Sequence, residues 1–259
     1  ATASGRTVMV AHQLRFHPVI KAVHQALPKL GRLIHLHLEC GFLIRGHEGR
    51  CWRDYRSGGF FMELGCHLVD LARHLMGEIR HVQGVTLRTN PLRVTEDFTQ
   101  SLLQFTSGAV GDIIVSANHR VTRQGLFQGR IIGEHGRLEF TFYPYQRTFN
   151  QARLILDGGK DVFVPDSKGK ALTIKRGPSP SPVYPGFFDV YEQETRAFVT
   201  SVLRKTPPPV TLADGRAAVA GVLATYAAQG LVTREANFPA LAALIAMDGA
   251  CHPLLGSLD

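Results

Sequence analysis

The chain lacks most of the features that assign a protein at a glance. Only four of its 259 residues are cysteine, and none forms a C-x-x-C pair. Their spacing fits no zinc signature, and in a chain this long it argues for reduced thiols over a disulfide framework. Charged residues make up 19%, too few for a coiled coil. The longest uncharged apolar stretch, Ala217–Val232, is Ala/Gly-rich and falls below the roughly 18–20 residues of a membrane span. No basic-then-apolar segment opens the chain, so the expectation is a cytoplasmic protein outside the membrane. There is no G-x-G-x-x-G turn, no H-E-x-x-H pair and no internal repeat.

What is present is apolar residue, 44% of the chain, enough for a substantial core. The length suits one large domain or two small ones. The net charge is +8, and it is regional. Residues 1–60 carry nine Lys or Arg against three Asp or Glu, and residues 115–180 carry eleven against five. The Lys and Arg are not gathered into runs, and no helix-turn-helix, zinc finger or RNP signature accompanies them. An anionic small ligand or a solvated basic face explains the charge better than nucleic acid.

Periodicity predicts the elements. Gly5 reads as a helix stop, and the apolar run Thr7–Ala11 as a strand buried on both faces, the tail of a βαβ unit. His17–Leu27 has an apolar face suited to a helix. Leu33–Cys40 alternates, with Ile34, Leu36, Leu38 and Cys40 on one side and His35, His37 and Glu39 on the other. A helix is expected over 61–76. Strands then follow at 79–88, 97–106, 109–118, 126–133, 137–143, 152–157, 161–164 and 171–175, with tight turns between several of them. Consecutive hairpins imply a mainly antiparallel sheet. A helix over Phe187–Leu203 is expected to bury Phe188, Tyr191, Thr195, Phe198 and Val202. Thr211–Asp214 resembles an N-cap opening a helix to about Gln229, and Ala240–Met247 reads as a final helix. The fold class expected is α+β, a large open antiparallel sheet with helices on one face.

The segment richest in chemistry is Ser57–Asp70. Glu63, His67, Asp70 and His74 repeat at offsets of four, three and four, one residue ahead of an apolar stripe of Leu64, Leu68, Leu71 and Leu75. Glu63, His67 and Asp70 therefore leave one side of the helix from consecutive turns. A histidine flanked by carboxylates suits general acid/base chemistry near neutral pH, because a neighbouring carboxylate favours the imidazolium. Ser57-Gly58-Gly59 allows a tight bend and the close approach of a ligand. The plain alternative is the wet face of an amphipathic helix. Chelation by the same side chains is a third reading, disfavoured because the spacing matches no zinc motif.

Several pieces in order resemble the C-terminal domain of the glucose–fructose oxidoreductase / inositol dehydrogenase (Gfo/Idh/MocA) family. His12-Gln13-Leu14-Arg15-Phe16-His17-Pro18 resembles its R-F-x-P segment, and Leu30–Ile34 its turn into the first sheet strand. Trp52-Arg53-Asp54 with Ser57-Gly58-Gly59, Glu63 through Asp70, and Leu75-Met76-Gly77-Glu78 resemble its W-R, S-G-G, helix and helix-end motifs. Phe105–Gly108 and Ile132–Gly136 resemble two of its hairpins. The resemblance implies an NAD(P)-dependent oxidoreductase acting on a sugar, polyol or related alcohol. In it His67 would move the hydroxyl proton, with Glu63 as its carboxylate partner and Asp70 on the substrate side. Arg15, Trp52 and Arg53 would approach the nicotinamide end of NAD or NADP, and no metal is implied. The sheet would build the substrate pocket and a homo-oligomer interface.

The chain departs from the family pattern in lacking the Gly-rich phosphate turn and the E-K-P segment, and in carrying Glu rather than Asp at position 63. The organisation expected is a tail of a dinucleotide domain over 1–14, the α+β domain over 15–237 and a C-terminal helix over 238–259. Such a chain alone is expected to hold dinucleotide poorly and turn over little. Two other readings stand beside this one: a stand-alone sheet domain acting as a binding or dimerisation module, and a metal-dependent hydrolase.

Overall fold

The computed structural model describes residues 4–43, 59–118, 125–143, 151–157, 162–163 and 187–229. The expected strand at 171–175, the helix at 240–247 and the segment Trp52–Gly58 lie outside the described residues.

Eight strands form one sheet in the order β2-β3-β4-β1-β5-β6-β7-β8. They are β1 (Leu33–Gly41), β2 (Ile79–Leu87), β3 (Phe98–Phe105), β4 (Val110–Ser116), β5 (Leu126–Gly133), β6 (Gly136–Phe142), β7 (Gln151–Leu156) and β8 (Val162–Phe163). The helices are α1 (Pro18–Ala26), α2 (Phe60–Met76), α3 (Phe187–Arg204) and α4 (Leu212–Ala227). β1 sits in the middle. The chain leaves it through α2 to β2, returns by hairpins through β3 to β4, and then crosses to β5 on the other side. β4 pairs with β1 in parallel, and every other pairing is antiparallel. The fold is α+β, a mainly antiparallel sheet, as the hairpin turns imply.

Alternation makes the two sheet faces chemically different. The helix-covered face carries Leu36, Leu38, Cys40, Leu103, Phe105, Ile113, Val115, Ile131, Leu138, Phe140 and Phe142, all buried. They pack with Phe61, Leu68, Leu71 and Leu75 of α2 and with Val19, Ile20 and Val23 of α1. The opposite face mixes charged and polar side chains with exposed apolar ones. One ladder row runs Gln83, Leu102, Asp112, His37, Arg130, Glu139 and Arg153. In it His37 Nδ1 lies 2.8 Å from Asp112 Oδ2, and that hydrogen bond raises the histidine's pKa despite its partial burial. Ile34, expected with the core set of β1, is 40% exposed because the register shifts between Leu33 and His35.

Two expectations need correction. Thr7–Ala11 is not part of a strand. No neighbouring strand lies beside it among the described residues. It is held instead by Val10 N–H donating to the Val210 carbonyl (3.2 Å) and by Met9 and Val10 packing near Phe16, Val190 and Val210. In α3 the buried face is shifted by one residue from the one expected. Val190, Glu194 and Ser201 are buried, whereas Val202 is 45% exposed. The short side chains at Ala197 and Ser201, with Ser201 Oγ donating to its own helix at the Ala197 carbonyl, let this face approach residues 13–16.

Candidate functional site

α2 carries most of the candidate residues, and its two ends are fixed differently. Its first turn has no side-chain cap from its own segment. The buried carboxylate of Glu96 supplies one: Phe61 N–H donates to Oε1 (2.7 Å), and the Tyr226 hydroxyl donates to the same oxygen (2.5 Å) while accepting from Met62 N–H (3.1 Å). A carboxylate beside unsatisfied N–H groups at a helix start is favourable by both hydrogen bonding and the dipole. Gly59 is explained by this cap and not by ligand approach, since a Cβ there would lie 2.2 Å from Glu96 Oε2. The far end stops at Gly77, whose φ of 89° suits glycine.

The carboxylate expected on the substrate side, Asp70, is 1% exposed and bound on both oxygens by Arg15. Nε donates to Oδ2 (2.8 Å) and Nη2 to Oδ1 (2.6 Å). Arg15 also donates to Asp214 Oδ1 (3.1 Å), which lies 3.5 Å from Arg73. Burial alone would lower the Arg15 pKa, but the two carboxylates outweigh it and raise it. Burial would likewise raise Asp214, but the Thr211 backbone, its hydroxyl and Arg15 hold it down at about 2. Arg15, expected at the nicotinamide end, therefore has its guanidinium taken up by two carboxylates. It ties the segment before α1 to α2 and to the start of α4, where Thr211 and Asp214 form a reciprocal capping box.

His67 sits one turn before Asp70 and is half-buried. Its Nδ1 is buried and meets no hydrogen-bond partner among the described residues. Burial lowers its pKa to about 4, helped by the neighbouring His12 and opposed by Asp70. The expectation that flanking carboxylates would favour its imidazolium is reversed, because desolvation dominates and the Asp70 charge is already taken by Arg15. At neutral pH His67 is a neutral imidazole, able to accept a proton. Glu63, one turn earlier, is half-buried on the same helix. His74 leaves this group: its ring stacks on His24 at 4.6 Å, and burial lowers its pKa to about 4. Trp52 and Arg53 lie outside the described residues.

The sequence did not single out His12. It is 5% exposed, its ring stands edge-on to His67 with centroids 5.6 Å apart, and its Nε2 lies 3.8 Å from Asp70 Oδ1. Burial lowers its pKa to about 4, with Arg15 and Arg73 adding to the effect. Its position in the R-F-x-P-like segment was the only available signal, because contact with α2 spans 55 residues of sequence. Among the described residues no group of three or more His, Cys, Asp or Glu is arranged to hold a metal ion. No described helix is long and apolar enough to cross a membrane.

Residues 24–139 match the family model for the GFO/IDH/MocA C-terminal domain. No curated protein sequence matches the chain. The fold is similar to that of an oxidoreductase from Agrobacterium radiobacter in complex with NAD+, L-tartaric acid and magnesium, with a TM-score of 0.73 and 18% identity. That match covers 88% of this chain and 64% of the other. A levoglucosan dehydrogenase in complex with NADH and levoglucosan aligns with a TM-score of 0.69 at 18% identity, covering 88% and 65%. The aldose-aldose oxidoreductase from Caulobacter crescentus, complexed with glycerol, aligns with a TM-score of 0.65 at 23% identity, covering 88% and 63%. This chain thus spans just under two thirds of the length of these structures, and at such identities the likeness is one of fold. The order of strands and helices and the family model agree in their likeness to a GFO/IDH/MocA C-terminal domain over residues 24–139.

Proposed function

We propose that this chain supplies the substrate-binding and acid/base half of an NAD(P)-dependent oxidoreductase acting on a sugar, polyol or related alcohol. The observation that carries this reading is His67, a half-buried imidazole kept neutral at neutral pH on a helix rigidly fixed at both ends. Oxidising a carbinol requires a base for the hydroxyl proton, and a nicotinamide cofactor when bound accepts the hydride. His67 takes that proton at its ring edge. Glu63, one turn away, is the carboxylate that favours the imidazolium as it forms. Asp70 acts on the site through Arg15, by fixing the helix. The sequence has no Gly-rich phosphate turn, so cofactor binding rests on residues beyond those that the chain supplies, and the chain alone turns over little.

The sheet is the proposed oligomer surface. Its open face exposes Val85, Leu87, Leu102 and Val110 beside the charged row through Asp112, His37 and Arg130. Such a mixture of apolar and complementary charged groups suits a second copy of the same face.

The test is the appearance of reduced nicotinamide when the complete natural protein is given NAD or NADP with a panel of sugars and polyols. Turnover that disappears in His67→Ala, with dinucleotide affinity little changed, is the expected result. A His67→Ala protein that oxidises the same substrate at the parent rate would discard the assignment.

A further inference from the structure

A general-base histidine works only if the nitrogen facing the substrate carries the lone pair. That is decided at the other nitrogen, which must keep its hydrogen. In His67 the buried atom is Nδ1, and no hydrogen-bond partner reaches it among the described residues. His12 stands beside it with the complementary problem: Nδ1 and Nε2 are both buried and neither has a hydrogen-bond partner among the described residues. Three orphaned nitrogens on two touching rings are unusual, because buried polar atoms are nearly always paired. A purely packing role would be served better by Phe or Leu.

We propose that His12 is a positioning residue for His67, joining the buried Nδ1 edge of the base to the Asp70 carboxylate. This rests on the acid/base role given to His67 above. The chain of groups runs Asp70, His12, His67. Asp70 Oδ1 lies 3.8 Å from His12 Nε2 and is an acceptor only, which selects the tautomer of His12 with its hydrogen on Nε2. His12 Nδ1 is then an acceptor. It accepts from the Nδ1–H of His67, directly or through one water, and this leaves Nε2 of His67 with the lone pair. In the reaction the substrate hydroxyl proton passes to His67 Nε2, and the new positive charge on His67 faces His12 and, beyond it, the Asp70 carboxylate. His12 keeps its own proton throughout. The rings are 5.6 Å apart and perpendicular, so in the free chain the link runs through one water. Catalytic hydrogen bonds are often long before substrate binds and tighten in the complex. Arg15 holds both oxygens of Asp70, so the carboxylate end of the chain is stationary. The other charged groups acting on His12 are Arg15, Arg73 and Asp214.

The experiment reads the tautomers by 15N–1H correlation of the imidazole rings in this chain at neutral pH, without substrate or cofactor. The expected result is His67 with its hydrogen on Nδ1 and His12 with its hydrogen on Nε2. In His12→Phe, His67 reverts to the hydrogen-on-Nε2 form that a free imidazole prefers. In His12→Gln, whose amide oxygen can still accept, His67 keeps the hydrogen on Nδ1. A parent His67 with its hydrogen on Nε2, or one whose tautomer is the same in the parent and in His12→Phe, overturns the proposal. The parent spectrum alone can do so, even if a variant fails to fold. The tautomer result is independent of turnover. A His67→Ala protein that remains active sinks the acid/base reading and leaves the His12 contact standing. An active-site His67 with an unresponsive tautomer sinks only the role of His12.

Discussion

Two polar groups lie within a turn of one another on α2, and they are built on opposite principles. Around Asp70 every charge is answered: two bonds from Arg15, a second carboxylate at Asp214, and Arg73 bridging on to Glu78. Around His67 the buried nitrogens find no hydrogen-bond partners among the described residues, and both histidines are held neutral by burial. A satisfied network stabilises and fixes, whereas an unsatisfied one lowers stability and is retained where something must bind or react. The Asp70 group is the frame, and the His67 group is what the frame presents.

Disturbing each group in turn sharpens this contrast. The largest effect belongs to His67→Ala in the complete protein, where loss of the base lowers turnover by about 10²–10⁴; steady-state rates on an oxidised polyol or sugar check it. Next is Arg15→Met, which strands the Asp70 carboxylate in the core and costs about 3–5 kcal/mol in denaturant unfolding. Glu96→Ala removes the acceptor shared by Phe61 N–H and Tyr226, and about 1–3 kcal/mol of stability is lost. Thr211→Ala breaks the capping box of α4 for about 1 kcal/mol.

Acid separates the groups by sign. His12, His17, His67 and His74 have folded pKa values of about 3 to 4, below the ordinary 6.5. The unfolded chain therefore binds more protons below pH 6.5. Stability is full above that value and falls as the pH drops from 6.5 toward 4. His17 contributes twice, since its Nδ1 must stay unprotonated to accept from Val19 N–H at the start of α1. An unfolding midpoint that is flat between pH 7 and 4.5 would contradict these burials.

The strands and helices were legible because each carries its own local period. Leu36, Leu38 and Cys40 alternate, the leucines of α2 recur at three and four, and Gly77 and Thr211 mark an end and a beginning. The R-F-x-P, helix and hairpin pieces in order also led to the family that the model match supports. What could not be read is what arises between distant elements. Glu96 caps a helix 35 residues earlier, and Arg15 meets Asp70 across 55. The resemblance puts Asp70 on the substrate side, and no local signal showed that Arg15 would hold both of its oxygens. The polar stripe Glu63, His67, Asp70 and His74 was correctly a stripe, yet Arg15 claimed one member and His24 another. In α3 the periodicity was right and the phase was not, because Ala197 and Ser201 approach their neighbours more closely than Phe198 and Val202 would.

Thermal unfolding of His67→Leu beside Arg15→Met puts the distinction to a direct test. Leucine removes the orphaned nitrogen and keeps the bulk, and replacing an unpaired buried group with an apolar one is close to neutral or stabilising. The midpoint of His67→Leu should equal or exceed that of the parent, while the complete protein carrying it loses turnover and Arg15→Met unfolds early. A His67→Leu chain that unfolds as early as Arg15→Met would show that His67 belongs to the frame and not to the chemistry.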